Sequence, residues 1–221
     1  MPPAARPDML RLKADMLPLF ETVVMTAHVA DHGAIDAQLA AAIRDRMAAD
    51  EGLNRSNIGG WHSRTDMLEW GGAPAERVAD AAIRAARRLS HFEDRDPASI
   101  DWSVRMWANV SPPGALNMSH AHPGVLWAAV YYVDRGADPG EDAGGELYLE
   151  DPRFPMPLMT FPGFRAIGAD GRPQSHERTV TTGAGDLVLF PGYLRHGVRP
   201  HRGLRDRISI AMNLYAREKA A

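Results

Sequence analysis

Apolar residues follow two different periods along the chain, and the period changes near residue 100. In residues 35–50 they recur every three or four positions, which predicts an amphipathic helix. The same spacing returns after Pro74, a residue that suits a first helical turn, and predicts a second helix ending near His91. A stretch rich in Val, Thr and Phe over 17–29 predicts a strand before both helices.

Beyond residue 100 the pattern changes to short extended runs separated by Pro and Gly clusters. The predicted strands are 102–110, 125–133, 145–150, 164–167, 177–181, 186–190 and 206–215. Helices followed by many short strands indicate a mainly β protein, a sandwich or jelly roll with helices packed on one face. We therefore predict a single domain over 1–221, with an N-terminal strand and supporting helices in 1–100 and the β core in 101–215.

The last predicted strand has a polar face that needs an explanation. Arg207, Ser209, Ala211 and Asn213 share one face, while the residues between them are apolar. The polar face could simply meet solvent on an edge strand. Alternatively it lines an interior, where a guanidinium binds a carboxylate through two parallel hydrogen bonds and a hydroxyl two residues on adds a third. In that case Arg207 and Ser209 would hold one end of a dicarboxylate.

Three histidines form a candidate metal site. His120 and His122 lie two residues apart, and residues at this spacing on an extended strand project from the same face. His196 comes 74 residues later, just after a predicted strand and turn. A His-x-His pair alone is weak evidence, but both segments are expected to be strand ends around a cavity. The three imidazoles could then bind one divalent metal ion.

Composition excludes several kinds of site and classes of partner. The chain contains no cysteine, which excludes disulfides, thiolate zinc sites, iron–sulfur clusters and cysteine nucleophiles. A formal net charge of −3 gives no general attraction to nucleic acid or to an anionic membrane. The N-terminus has no apolar core typical of a signal peptide, and no stretch has the length of a membrane span. We expect a cytoplasmic protein without a nucleic-acid or membrane partner.

These residues resemble the Fe(II)- and 2-oxoglutarate-dependent oxygenases. The pattern of that superfamily is His-x-acid, a distal His, and Arg-x-Ser about ten residues later; this chain has His120-Ala-His122, His196 and Arg207-Ile-Ser209. Tyr-Tyr-Val at 131–133 and Gly-Gly-Glu-Leu at 144–147 are similar to segments of prolyl-hydroxylase-like members. The resemblance covers roughly 102–215 and is strongest to an uncharacterised bacterial subgroup.

The resemblance implies a double-stranded β-helix, a jelly roll of the kind that cupins also have. It implies an iron-dependent dioxygenase that binds Fe(II) through His120, His122 and His196 and hydroxylates an unidentified substrate with O₂. Arg207 and Ser209 would hold the distal carboxylate of the co-substrate 2-oxoglutarate. Asn117 and Tyr131 are further candidates for contacts with 2-oxoglutarate, although Asn near turns and Tyr in strands usually have structural roles.

His122 departs from the family pattern, because the usual triad is two histidines and one carboxylate. With neutral imidazoles, the complex of Fe²⁺ and dianionic 2-oxoglutarate carries no net charge, whereas a carboxylate ligand would make it −1. Three interpretations are open: a working three-histidine iron site, a site in which water replaces His122 as ligand, and a non-catalytic protein. We favour the first, since imidazole is a good iron ligand.

Two other classes of function are compatible with parts of the sequence. Gly114 with His120-x-His122 matches the start of the first cupin motif, which allows a cupin-like metalloenzyme that does not use 2-oxoglutarate. The second class is a binding protein with a jelly-roll fold and no catalytic activity. Arg207-x-Ser209 favours the oxygenase over both. Five histidines have no partner at ligand spacing, and we do not expect them in the site: His28, His32, His62, His91 and His176.

Overall fold

The computed structural model describes residues 12–138 and 140–219. The α-helices are α1 (Gly33–Ala49), α2 (Met67–Trp70) and α3 (Gly72–Arg88), and short 3-10 helices occupy Pro97–Ser99 and Met156–Leu158. Helices α1 and α3 confirm the two helices that apolar periodicity predicts. None of the described helices has both the length and the apolar character needed to cross a bilayer.

The described residues also contain eleven strands. In chain order they are β1 (Met25–His28), β2 (Asn57–Ile58), β3 (Trp61–His62), β4 (Ile100–Ser111), β5 (Leu116–His120), β6 (Trp127–Asp134), β7 (Leu147–Glu150), β8 (Glu177–Val180), β9 (Asp186–Pro191), β10 (His196–Val198) and β11 (Arg207–Glu218). They form an antiparallel six-stranded sheet in the order β1-β9-β6-β11-β4-β3 and an antiparallel five-stranded sheet in the order β2-β5-β10-β7-β8. We call these the major and the minor sheet.

Most strand predictions are confirmed, and the exceptions have local causes. The N-terminal strand is restricted to Met25–His28, because only these residues find a partner in β9. Residues 164–167 form no strand; Ile167 makes one isolated bridge to Pro173, and no neighbouring strand is available. Four observed strands are absent from the predicted set: β2, β3, β5 and β10. Strands β2, β3 and β10 have only two or three residues and cannot display an alternating pattern, and of β5 the sequence indicates only the extended end that carries His120.

The two faces of the major sheet pack against different partners. On the outer face, Leu39 of α1 and Val78 of α3 lie in one apolar core with Ile208 and Ile210 of β11. On the inner face, residues such as Tyr132 and Phe190 pack against Leu147 and Leu149 of the minor sheet. This arrangement is a jelly roll, a double-stranded β-helix with helices on its outside, as predicted. Strands from the first hundred residues join both sheets, so that part supplies more than supporting helices.

Candidate active site

A cavity of about 660 Å³ lies between the inner faces of the two sheets. Its wall contains the three histidines of the predicted metal site and both residues of the predicted carboxylate clamp. No Asp or Glu side chain of the described residues lines it. We call the part around the histidines the metal end and the part around Arg207 and Ser209 the anion end.

Adjacent strands of the minor sheet bring His120 and His196 together. His120 ends β5 and His196 begins β10, and the two residues are directly paired in the antiparallel register. The Nδ1 atom of His120 lies 2.9 Å from the carbonyl oxygen of Met118, and that of His196 lies 2.9 Å from the carbonyl oxygen of Leu194. A carbonyl only accepts, so each Nδ1 donates and each Nε2 presents a lone pair. This is the tautomer that a metal ligand needs.

His122 reaches the same point from the loop that follows β5. Its backbone N–H donates to the carbonyl of Gly192, which fixes the loop beside β9. The Nε2 atoms of His122 and His196 are 3.3 Å apart, and one ligand atom from each of the three histidines lies within 4.8 Å of the others. His122 has no Nδ1 hydrogen bond among the described residues; its ring packs instead 6.0 Å from that of Trp107.

Burial keeps the three imidazoles neutral. The pKa of His196 is lowered to about 3, mainly by desolvation and also by the two neighbouring histidines and Arg195, while the hydrogen bond to Leu194 acts in the opposite direction. Desolvation and His120 lower the pKa of His122 to about 4. The pKa of His120 is lowered as well, mainly by burial. Neutral imidazoles carry no positive charge that would repel a cation, and each can offer a nitrogen lone pair, so the cluster suits a divalent metal with nitrogen ligands.

The anion end contains a buried cation without a carboxylate partner. Arg207 and Ser209 are each 3% exposed, and the guanidinium donates a 3.1 Å hydrogen bond to the Ser209 hydroxyl. Arg207 forms no salt bridge with any described carboxylate, and its guanidinium lies 5.1 Å from the ring centre of Tyr132. Burying an unpaired charge is costly, and arginine stays protonated in proteins. This end of the cavity therefore fits an anionic group.

A glycine leaves the space that Arg207 occupies. Gly145 adopts a φ of +70°, and a Cβ built there would lie 2.9 Å from Cδ of Arg207. Only glycine combines that backbone conformation with such a close approach. The Gly-Gly segment before β7 thus holds the arginine against the cavity.

The family assignment follows from the sequence of this same β core. Residues 105–213 match the sequence model of the family described as "Putative 2OG-Fe(II) oxygenase". The matched segment contains all three histidines, Arg207 and Ser209. The chain belongs to the 2OG-Fe(II) oxygenase family. It is thus an oxidoreductase whose cofactor is Fe(II) and whose co-substrate, with O₂, is 2-oxoglutarate.

Solved structures share the fold of this oxygenase. A prolyl-4-hydroxylase from Pseudomonas putida is 21% identical with a TM-score of 0.59, covering 90% of this chain and 94% of its own. A prolyl hydroxylase from Trichoplax adhaerens, in complex with a hypoxia inducible factor peptide, is 13% identical with a TM-score of 0.61, covering 87% and 83%. HygX from Streptomyces hygroscopicus, with nickel and 2-oxoglutarate bound, is 14% identical with a TM-score of 0.57, covering 87% and 82%. No curated protein sequence matches the chain.

Of the two remaining residues predicted to contact 2-oxoglutarate, one lines the cavity and the other does not. Asn117 lines the cavity of the oxygenase and donates a 3.3 Å hydrogen bond to the hydroxyl of Ser56. Tyr131 does not line the cavity: it lies on the outer face of β6 and donates a 2.6 Å hydrogen bond to Asp36 of α1. Its neighbour Tyr132 faces inward, and the Tyr132 hydroxyl is buried without a hydrogen-bond partner among the described residues. Tyr132 therefore has the position expected of Tyr131.

Three cavity residues lay outside the predicted site. Asn109 and Asn213 each bury a side-chain oxygen that has no described hydrogen-bond partner. His62, expected to lie elsewhere, also lines the cavity. Alternation along β11 places Asn213 on the face of Arg207 and could have indicated it. No sequence signal indicates His62, because it lies in a two-residue strand.

Proposed function

We propose that His120, His122 and His196 bind the Fe(II) of this oxygenase. Each offers a neutral nitrogen. Strand register and hydrogen bonds to backbone carbonyls position the rings of His120 and His196, and packing against Trp107 positions that of His122. When bound, iron supplies an oxidising centre that acts with O₂ while 2-oxoglutarate is converted to succinate. In our proposal, His122 is a ligand in place of the usual carboxylate.

Arg207, Ser209 and Tyr132 hold the distal carboxylate of 2-oxoglutarate in this proposal. The observation that carries it is the buried, unpaired guanidinium at the opposite end of the cavity from the histidines. A carboxylate there would accept a fork of two hydrogen bonds from Arg207 and further ones from the two hydroxyl groups. The unpartnered Tyr132 hydroxyl would gain an acceptor. Because the three imidazoles are neutral, the charge of Fe²⁺ would be balanced by dianionic 2-oxoglutarate, and the loaded metal site would be neutral overall.

Apolar residues between the two ends exclude water from the bound co-substrate. Val130 of β6 and Phe190 of β9 line the cavity beside the minor-sheet residue Leu147. A dry wall strengthens the electrostatic attraction between the guanidinium and a carboxylate. The reaction that we propose is hydroxylation of a substrate that enters this cavity. A cytoplasmic location stays a prediction from the sequence.

Conversion of 2-oxoglutarate to succinate by the iron-loaded protein tests the proposal, with Arg207→Ala as the key variant. The affinity of this variant for 2-oxoglutarate should fall by about 100-fold or more, because the anion end loses the buried guanidinium that would pair with the carboxylate. Arg207→Lys keeps the positive charge but cannot donate two parallel hydrogen bonds, so its affinity for 2-oxoglutarate should lie between those of the wild type and Arg207→Ala. Arg205→Ala is the matched control, since Arg205 is exposed and pairs with Asp138. Unchanged 2-oxoglutarate affinity in Arg207→Ala would refute the assignment.

A further inference from the structure

A row of polar residues crosses the inner face of the major sheet. His62 of β3 pairs with Asn109 of β4, Asn109 pairs with Ser209 of β11, and Ser209 pairs with Tyr132 of β6. All four line the cavity. Ser209 and Tyr132 belong to the anion end. His62 and Asn109 extend the row toward the sheet edge, beyond the residues that the proposed function uses.

His62 presents a hydrogen-bond acceptor to the cavity. The residue is 6% exposed, and its Nδ1 atom lies 2.6 Å from the carbonyl oxygen of Ser63. Since that carbonyl can only accept, Nδ1 carries the proton and Nε2 carries a lone pair. Burial lowers the pKa of His62, and the nearby charge of Arg55 also lowers it, so the ring stays neutral. Its Nε2 makes no hydrogen bond with the described residues.

Asn109 places a second acceptor next to the first. It is 9% exposed, and its side-chain oxygen is buried with no hydrogen-bond partner among the described residues. Leaving a buried acceptor unpaired costs stability, so two neighbouring ones in a cavity indicate a ligand that donates hydrogen bonds.

The charges around the cavity restrict what that donor can be. Arg55, Arg64 and Arg207 line the cavity and no described carboxylate does, which disfavours a cationic ligand such as an ammonium group. An anionic group would be repelled by the two acceptors. A neutral donor remains, that is, a hydroxyl or the N–H of a carboxamide.

Aromatic rings connect this pair of acceptors with the metal end. The His62 ring stacks on Trp107 with ring centres 5.5 Å apart and 13° between their planes, and Trp107 packs against His122. Leu53 and Met212 add apolar surface to the same cavity. A ligand bound here would have an apolar body and would lie beside the ligand His122.

We propose that His62 and Asn109 form a substrate subsite that takes a neutral hydroxyl or carboxamide group carried on an apolar body. This inference rests on the proposed function, because it supposes that the cavity also holds iron and 2-oxoglutarate. His62 acts in it as a specificity residue that accepts a hydrogen bond from the substrate. The proton stays on the substrate.

Two matched probes test the subsite in protein loaded with Zn(II), which is redox-inert, and 2-oxoglutarate. Benzamide has two N–H donors on an apolar ring, whereas N,N-dimethylbenzamide keeps the ring and the carbonyl but has none. Calorimetry or ligand-observed NMR should show benzamide binding about five- to tenfold more tightly, the value of a buried hydrogen bond. Equal affinities, or no binding of benzamide, would overturn the subsite.

Variants of His62 then identify the acceptor. His62→Phe keeps a ring against Trp107 and removes Nε2, so it should abolish the preference for benzamide while leaving 2-oxoglutarate affinity unchanged. His62→Gln retains an acceptor and should restore part of the preference, and the exposed His91→Phe is the control. A His62→Phe protein that loses 2-oxoglutarate affinity and keeps the preference would overturn the inference.

Failure of the subsite and failure of the proposed function give different results in this experiment. If neither Zn(II) nor 2-oxoglutarate binds to the wild-type protein, the proposed function and the subsite fail together. If both bind and the two benzamides do not differ, only the subsite fails.

Discussion

The metal end and the anion end of the cavity hold their polar groups by different means. At the anion end, Arg207 and Ser209 lie on β11, a central strand that is paired on both sides by β4 and β6. At the metal end, His120 and His196 lie at the termini of short strands, and His122 lies in a loop. The anion end is thus positioned by the interior of a sheet, and the metal end by strand termini and local hydrogen bonds.

The three histidines of the metal end also differ in how their rings are held. The His120 and His196 rings are each held by a hydrogen bond to a backbone carbonyl two residues earlier. The His122 ring lacks such a bond among the described residues and is held by packing against Trp107. His122, which we propose as a ligand in place of the usual carboxylate, is therefore the histidine with the weakest polar support. Positioning by packing suits an imidazole, which has a ring to pack, better than a carboxylate.

The largest expected effect is loss of metal binding when the histidines are changed. His120→Ala and His196→Ala should each lower Co(II) affinity by more than about 100-fold, because loss of even an outer hydrogen-bond partner costs about 10- to 100-fold. His122→Ala should cost less if packing alone holds the ring. The absorption spectrum of Co(II) in the loaded protein measures all three, with His91→Ala as the control. Equal losses in the three variants would remove the distinction between the ligands.

His122→Asp asks whether an imidazole is required at this position. Aspartate is shorter than histidine, so its oxygens would not reach the point where Nε2 of His122 lies 3.3 Å from Nε2 of His196. We expect Co(II) affinity and succinate formation to fall as in His122→Ala. Tighter metal binding and faster turnover would instead mean that this site merely lacks its carboxylate.

The next effect concerns the two adjacent tyrosines, which form a matched pair. Tyr132→Phe should weaken 2-oxoglutarate binding about five- to tenfold through loss of one hydrogen bond, without a large loss of stability. Tyr131→Phe should leave 2-oxoglutarate affinity unchanged and lower the free energy of unfolding by about 1–3 kcal/mol, since buried Asp36 loses the hydrogen bond from Tyr131 and keeps only its contact with His32. Calorimetric titration measures the affinity of each variant for 2-oxoglutarate, and urea unfolding measures its free energy of unfolding. The opposite pattern would place Tyr131 at the anion end.

The most gradual effect is a loss of stability in acid, which the metal end should produce. In the metal-free protein the pKa of His196 is lowered from 6.5 to about 3, so below pH 6.5 the unfolded chain binds a proton that the folded protein does not. The free energy of unfolding should therefore fall as pH decreases from 6.5 toward 3, by up to about 1.4 kcal/mol per pH unit for this residue. Urea unfolding of chelator-treated protein at several pH values measures the slope.

Carboxylates also titrate in acid, so a variant is needed to separate the contribution of His196 to the pH dependence of stability. His196→Gln cannot take up a proton, so its unfolding free energy should depend less steeply on pH between about 4 and 6.5. An unchanged slope would show that His196 is not buried as a neutral imidazole.

Much of the site could be predicted because its residues lie in segments with strong local patterns. Polar and apolar residues alternate along β11, so the side of the strand on which Arg207 and Ser209 lie followed from their spacing. The segment around Tyr131 and Tyr132 gave no such information. Strand β6 is buried on both faces, by the helices and by the minor sheet, so its sequence is continuously apolar. Which tyrosine faces inward depends on strand register.

The helices, most strands, the three histidines and the Arg-x-Ser pair could be predicted because period and spacing are local properties of the chain. That Tyr132 rather than Tyr131 enters the cavity, and that His62 also lines it, followed only from how the sheets pack. His62 reaches the site through the pairing of a two-residue strand with β4, 47 positions later at Asn109. Such pairing is set by long-range packing of the sheets, and a strand that short carries no pattern from which to predict it.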